Sequence, residues 1–195
     1  MLSKALLGGT PKPKGIITVD ASTNSLAFAL LHGEKLVTFG KFTFTGNDAY
    51  YRAADAALKT SAFFEDSDID AMMIESVPFM NSPKTALQLA LVQGAIVGAM
   101  ACSGVKVFMP VTAMQWQNHI GNKALTAAEK AAMIKEYPGK TKSWYKTKTR
   151  EIRKQRTIDY VNKRFTLELS DNDVTDAIGI GCYVADRFDI LFGGV

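Results

Sequence analysis

The sequence predicts an α/β fold: a mixed five-stranded sheet, three antiparallel strands followed by two parallel ones, flanked by helices. Three observations carry that expectation. First, three apolar runs near the start, Ile16–Val19, Leu26–Leu31 and Lys35–Phe44, are joined by links too short for a crossover, which makes an antiparallel meander. Second, Ala71–Glu75 and Val105–Met109 each follow a helix-length segment, the spacing of strands reached through crossover helices. Third, the last segment, Asp171–Phe188, carries a long apolar face (Ala177, Ile178, Ile180, Gly181, Val184, Ala185) suited to packing on a sheet.

Each element has its own local warrant. Ile16–Val19 is an interior-type strand that ends on Asp20, with Ala21–Ser25 as a tight turn. His32-Gly33-Glu34 closes the next hairpin. Asn47 is expected to cap a helix from Asp48 to about Phe64, with Tyr51, Ala54, Leu58 and Ala62 turned inward. Asp66–Asp70 is an acidic loop before Ala71–Glu75, a second strand ending in a carboxylate. Ser82-Pro83 starts a helix that runs to about Cys102. Its Gly94, Ala95, Gly98 and Ala99 permit close approach of the sheet or of a second copy of the chain. Pro110 is expected to end the fifth strand, and Thr112 to cap a short helix through Asn118. Thr126–Glu136 and Lys148–Phe165 read as two further helices. The stretch from Tyr137 to Lys148 breaks the periodicity between them.

The chain has 195 residues, 47% hydrophobic and 22% charged, enough for one domain with a full core and marginal for two. One domain over 1–195 is expected. No apolar run is expected to reach the length of a membrane span, Val92–Met100 coming nearest, so no membrane partner is expected. Met1–Lys14 reads as a loose arm rather than a signal peptide. Cys102 and Cys182 are expected to be buried thiols in a reducing compartment. His32 and His119 stand alone and receive no catalytic role. The net charge of +4 hides an asymmetry: Gly121–Phe165 holds 13 Lys plus Arg against 4 Asp plus Glu. A basic segment on an otherwise acidic body is the footprint of a phosphate-rich partner, here a nucleic acid.

The candidate chemistry lies in four acids. Asp20 and Glu75 end two strands whose C-terminal ends lie at one sheet edge if the strands are neighbours. Asp173 and Asp176, three apart at the start of the last helix, share a face. Asp20 alone is an ordinary turn residue, and Asp171 and Asp173 alone suit a helix N-terminus. Gathered without basic partners, Asp20, Glu75, Asp173 and Asp176 repel one another and are tolerable when divalent ions neutralise them. Mg2+ prefers oxygen ligands, with Mn2+ as substitute, and two such ions about 4 Å apart serve phosphodiester hydrolysis.

These residues carry a family resemblance. Val19-Asp20, then Met73-Ile-Glu-Ser-Val-Pro-Phe79 with Ala86–Gly94, then Val111–Gln117, then Asp173-Val-Thr-Asp-Ala-Ile-Gly-Ile180 resemble the RNase H-like nuclease fold. The likeness is greatest to RuvC-type Holliday junction resolvases, including phage-encoded ones, over residues 15–188. The resemblance implies two-metal-ion cleavage of four-way DNA junctions by paired symmetric nicks, with two ions per site held by Asp20, Glu75, Asp173 and Asp176. It implies a homodimer with two active sites. It implies that Phe79 unstacks bases near the junction centre and that a lysine acts at the scissile region, Lys154 first and Lys148 second. Lys146, Lys148, Arg150, Arg153, Lys154 and Arg156 are then expected phosphate contacts. The expected setting is the cytoplasm of a bacterium, or of its host cell for a phage protein. The chain departs from many members in having Asp173 where they have His. A basic insertion near 121–148 is a second departure, and its Trp144-Tyr145 is suited to stacking on DNA or to covering an apolar patch.

Two other readings compete. A non-enzymatic branched-DNA-binding protein accounts for the basic segment but not for four converging acids. A fragment of an actin-like small-molecule kinase shares the opening strand and Asp, but needs a second domain and Gly-rich phosphate loops.

Overall fold

The computed structural model describes residues 12–77 and 82–193. Phe79 lies outside them. β1 (Gly15–Ala21) is the central strand, with Ile16, Ile17 and Val19 fully buried. A strand covered on both faces is a near-continuous apolar run, as this one is. β2 (Ser25–His32) pairs with it antiparallel, and β3 (Lys35–Thr43) pairs antiparallel with β2. The β2–β3 turn uses Gly33 at φ +59°, a conformation that glycine adopts without steric cost. β4 (Ala71–Glu75) and β5 (Val107–Val111) add in parallel on the other side of β1, giving the order β3-β2-β1-β4-β5. The five-stranded sheet, three antiparallel strands then two parallel, is the one the sequence predicts.

The register sets up the site. Val19 pairs with Ile74, so the next residues on the two neighbouring strands are Asp20 and Glu75. Asp20 also pairs with Ala27, and Ala27 with Lys41. One row across the sheet therefore reads Lys41, Ala27, Asp20, Glu75, and cross-strand partners share a face.

Two apolar layers enclose the sheet. On one face, α1 (Ala49–Phe64) and α2 (Pro83–Cys102) pack Ala53, Ala56, Phe64, Val92, Ile96 and Met100 against Ile17, Val19, Leu26, Phe28, Met72 and Ile74. On the other, α3 (Ala113–His119), α5 (Lys142–Phe165) and α6 (Asn172–Ala185) pack Trp116, Val161, Val174, Ala177, Ile178 and Ile180 against Ile16, Ala27, Ala29 and Met73. The Thr18 hydroxyl donates to the Ala177 carbonyl at 2.8 Å, which pins α6 to β1. α4 (Ala127–Glu136) lies beside α5, and α7 (Phe188–Phe192) follows α6.

Several expectations need correction. Asp48, not Asn47, caps α1, its carboxylate accepting from the Tyr50 and Tyr51 amides. The inner face of α1 is Ala49, Ala53, Ala56, Thr60 and Phe64, while Tyr51 and Leu58 are 67% and 72% exposed. Small side chains let α1 lie close to α2 and the sheet, and that proximity outweighs burying the larger residues. Pro110 stands inside β5, opposite Ile74; β5 is an edge strand, where a missing N–H is tolerated. α5 begins at Lys142, capped by the Thr141 hydroxyl, rather than at Lys148. The last helix breaks after Ala185 instead of running to Phe188. α2 is long and apolar enough by length and composition to cross a membrane, so such a run does exist; it packs on α1 and the sheet with Leu89, Val92, Ile96, Ala99 and Met100 buried. Cys182 is buried, but Cys102 is exposed.

Gly179 marks the tightest seam of the second layer. A Cβ there would lie 2.8 Å from the ring of Trp116, which is fully buried and has no room to yield. Gly→Ala inside a helix ordinarily gains up to about 1 kcal/mol. Here overpacking reverses the sign, and Gly179→Ala is expected to cost about 1–3 kcal/mol in urea unfolding.

Candidate active site

Four carboxylates reach one open cavity of about 460 Å³ at the C-terminal edge of the sheet. Asp20 comes from β1, Glu75 from β4, and Asp173 and Asp176 from the first turns of α6. Local structure delivers each of them. The strand register brings Asp20 and Glu75 side by side. The Asp171 carboxylate caps α6 by accepting from the Asp173 amide at 2.8 Å and the Val174 amide at 3.2 Å. That fixes the helix start, so Asp173 and Asp176 follow on one face.

The electrostatic cost is large. Burial pushes the Asp20 carboxyl up to about 8, helped by the negative charges of Glu75, Asp176 and Asp173, and opposed by Lys41. Burial also pushes Asp176 up to about 7, with Glu75 and Asp173 adding to the shift and Lys154 and the Thr157 hydroxyl opposing it. Glu75 is raised by burial against the hydrogen bond it accepts from Trp116. These are the shifts of acids short of positive charge.

Several supporting contacts come from residues that sequence reasoning passed over. The indole N–H of Trp116 donates to Glu75 Oε2 at 2.9 Å, and Gln93 donates to the Glu75 carbonyl. Asn122 is buried and donates through one amide nitrogen to the Arg153 carbonyl and to the Thr157 hydroxyl, at 2.8 and 2.9 Å. Two accepting partners leave the Thr157 proton free to turn toward Asp176. Lys41 is the largest omission. Its ammonium lies 2.6 Å from Asp173 Oδ2 and 3.1 Å from Asp171 Oδ2. The acids are therefore not without basic partners: Asp173 is paired. Only the strand register, with small Ala27 between Lys41 and Asp20, could have signalled it.

The basic residues divide into two groups. Arg150, Arg153 and Lys154 line the acidic cavity. Lys154 donates to Asn172 Oδ1 at 2.9 Å. Arg153 turns inward, bonded to Gln117 and to the Asn122 carbonyl, and Arg156 is held by Glu129 and the Lys123 carbonyl. Lys148 stands 6.0 Å over the Tyr137 ring and pairs with Glu151. Lys146 and Arg150 are exposed. Trp144 packs on Tyr137 and Tyr145, closing the corner between α4 and α5, with Lys140 5.7 Å over its ring. His119 sits 2.9 Å from Asp186, away from the acids.

The donor set is all oxygen, which suits a hard divalent cation. Among the described residues no group of three or more acidic, histidine or cysteine side chains is disposed to hold an ion as it stands. The pairing of Asp173 with Lys41 and Asn172 accounts for part of that. Among the described residues no Lys or Arg pairs directly with Asp20, Glu75 or Asp176, and the repulsion that helps raise Asp20 and Asp176 is what a bound cation would relieve.

Sheet order and covering helices define an RNase H-like α/β fold. More narrowly, the fold is similar to that of RuvC structures. The chain superposes on Thermus thermophilus RuvC in complex with a Holliday junction substrate at TM-score 0.64 and 14% identity, over 92% of this chain and 96% of that one. Another Thermus thermophilus RuvC structure matches at 0.62 with the same identity and coverage. The yeast mitochondrial Holliday junction resolvase Ydc2 matches at 0.54 and 8% identity, over 97% and 85% of the two chains. No protein-family model matches the chain, and no curated protein does.

The raised carboxyls have a measurable signature without metal. Asp20 binds its proton more tightly folded, near 8, than at its ordinary value of 3.8. Its contribution to stability is complete below pH 3.8 and is lost as pH rises through about 8, with Asp176 acting in the same direction. In EDTA the melting temperature of Asp20→Asn is therefore expected to pull ahead of the unmodified protein as pH rises, by about 3 °C or more at pH about 8.

Proposed function

We propose that this chain is a divalent-metal-dependent endonuclease that cleaves branched DNA, Holliday junctions foremost, by paired symmetric nicks. The observation that carries the reading is the meeting of Asp20, Glu75, Asp173 and Asp176 in one cavity that Arg150, Arg153 and Lys154 also line. An acidic floor beside a basic wall suits a phosphodiester held against bound cations. A neutral small molecule has no use for both. The substrate held in the Thermus thermophilus RuvC complex, a Holliday junction, points to the DNA class.

Asp20, Glu75, Asp173 and Asp176 would hold the ions, Mg2+ or Mn2+. The bound ions would supply charge to the attacked phosphate and acidify the attacking water. Two ions is the count that four open carboxylates support, and the pairing of Asp173 is the reason to test that count. Trp116 holds one oxygen of Glu75 and leaves the other for coordination. Lys154, tethered to Asn172 and near Asp176, would supply a positive charge where the scissile phosphate gains negative charge. Arg150 and Lys146 offer exposed charge to the DNA backbone further along α5, and Phe79 is proposed to wedge between bases at the junction.

A homodimer supports paired nicking. α2 offers it an outward stripe of Leu87, Leu91, Gly94 and Gly98, with Leu87 71% exposed and open space beside both glycines. One nuclease domain acting in the cytoplasm completes the reading.

Asp20→Asn and Asp176→Asn are each expected to lower Mg2+-dependent cleavage of a labelled four-way junction by about 1,000-fold or more, the scale of losing a transition-state charge contact. Junction binding in a gel-shift assay should persist. Cleavage at the unmodified rate by either variant would remove the site assignment, and binding without any cleavage by the unmodified protein would favour the non-enzymatic alternative. Replacing Lys146 and Arg150 together with Ala is expected to flatten the dependence of log affinity on log salt by about 2, roughly one unit for each lost phosphate contact.

A further inference from the structure

Asp173 differs from the other three acids in how its oxygens are used. One oxygen receives the Lys41 ammonium at 2.6 Å, and the other receives the Asn172 side-chain amide. Among the described residues, no group donates to the Asp20 carboxylate and one donates to Glu75, the Trp116 indole. The sheet register explains how Lys41 gets there. It lies in the row Lys41, Ala27, Asp20, two strands from Asp20, about 10 Å away at the strand spacing. The intervening residue is alanine, so the long side chain passes over it to the start of α6. There it also engages Asp171, the α6 cap, and so bridges two adjacent acids.

We infer that Lys41 is a built-in counter-cation: its ammonium takes the place of one of the two ions that four carboxylates call for, and the site binds a single divalent ion on Asp20, Glu75 and Asp176. The inference rests on the metal-dependent reading and refines its ion count. An ammonium carries one positive charge and cannot polarise a water as a divalent ion does. The hydrolytic ion is then the one held by the three acids, and Lys41 offsets charge on the α6 side. Asp171 and Asp173 are partly exposed, with side chains 46% and 35% accessible, so water solvates them when Lys41 is removed. Loss of the ammonium thus frees both oxygens on the Lys41 side of the pair without burying a bare charge.

The test is a count of ions. Crystals of the unmodified protein, Lys41→Met and Lys41→Arg are soaked in Mn2+ and the anomalous-difference peaks at the acids are counted, alongside Mn2+ titrations in solution. One Mn2+ in the unmodified protein and in Lys41→Arg, with two in Lys41→Met, is the expected result. Lys41→Gln serves in place of Lys41→Met if the latter does not fold. Two ions in the unmodified protein with Lys41 turned away from Asp173, or one ion in every variant, would overturn the inference while leaving a metal-dependent nuclease intact. No Mn2+ in any of them, together with cleavage that survives EDTA, would overturn the metal reading itself.

Discussion

Acidic side chains at one end of a buried sheet repel each other and lose the water that would screen them. The arrangement in this chain depends on how that repulsion is contained. The backbone leaves little choice of position: parallel pairing of β1 and β4 places Asp20 next to Glu75, and the Thr18–Ala177 bond presses the start of α6 onto the same edge. The proximity is imposed by apolar packing on both faces of the sheet. At about 25 cal/mol per Å² of apolar surface removed from water, two such layers outweigh several kcal/mol of electrostatic cost. Asp20 and Asp176 carry that cost as raised proton affinity, Asp173 through its bond to Lys41.

The surrounding contacts then read as devices for holding charge still. Trp116 is fully buried, seated against Gly179, and donates to Glu75, so packing and acid orientation share one side chain. Asn122 orients the Thr157 hydroxyl from beneath α5. Arg153, expected to touch DNA, is bonded to Gln117 and the Asn122 carbonyl, which ties α5 to the loop after α3. These groups fix positions more than they supply chemistry.

Much of this was legible in the residue order. Strands ending in Asp20 and Glu75 announce themselves because a buried β-branched or apolar run that stops on an acid is a local pattern. Asp173 and Asp176 announce themselves through helical spacing. What escaped was decided by tertiary geometry. The inner face of α1 begins with three alanines, Ala49, Ala53 and Ala56, whose weak apolar signal loses to Tyr51 and Leu58 on any hydrophobicity count. The start of α5 hides among lysines and aromatics, and is set by the Thr141 cap and the packing of Trp144 on Tyr137. Lys41 meets Asp173 across 132 positions of chain, through a register that no local window contains.

α5 is an unbroken rod of 24 residues, about 36 Å long at the helical rise. Its first turns stand at the α4 corner, its middle lies against the acids through Lys154 and Thr157, and its last turns are locked to the core by Val161. A rod locked to the core at one end and braced against α4 at the other acts as a ruler. On the proposed nuclease reading, it would fix the distance and bearing at which a nucleic acid strand held near Lys146 reaches the acids, so that length along the helix would set which bond falls over them.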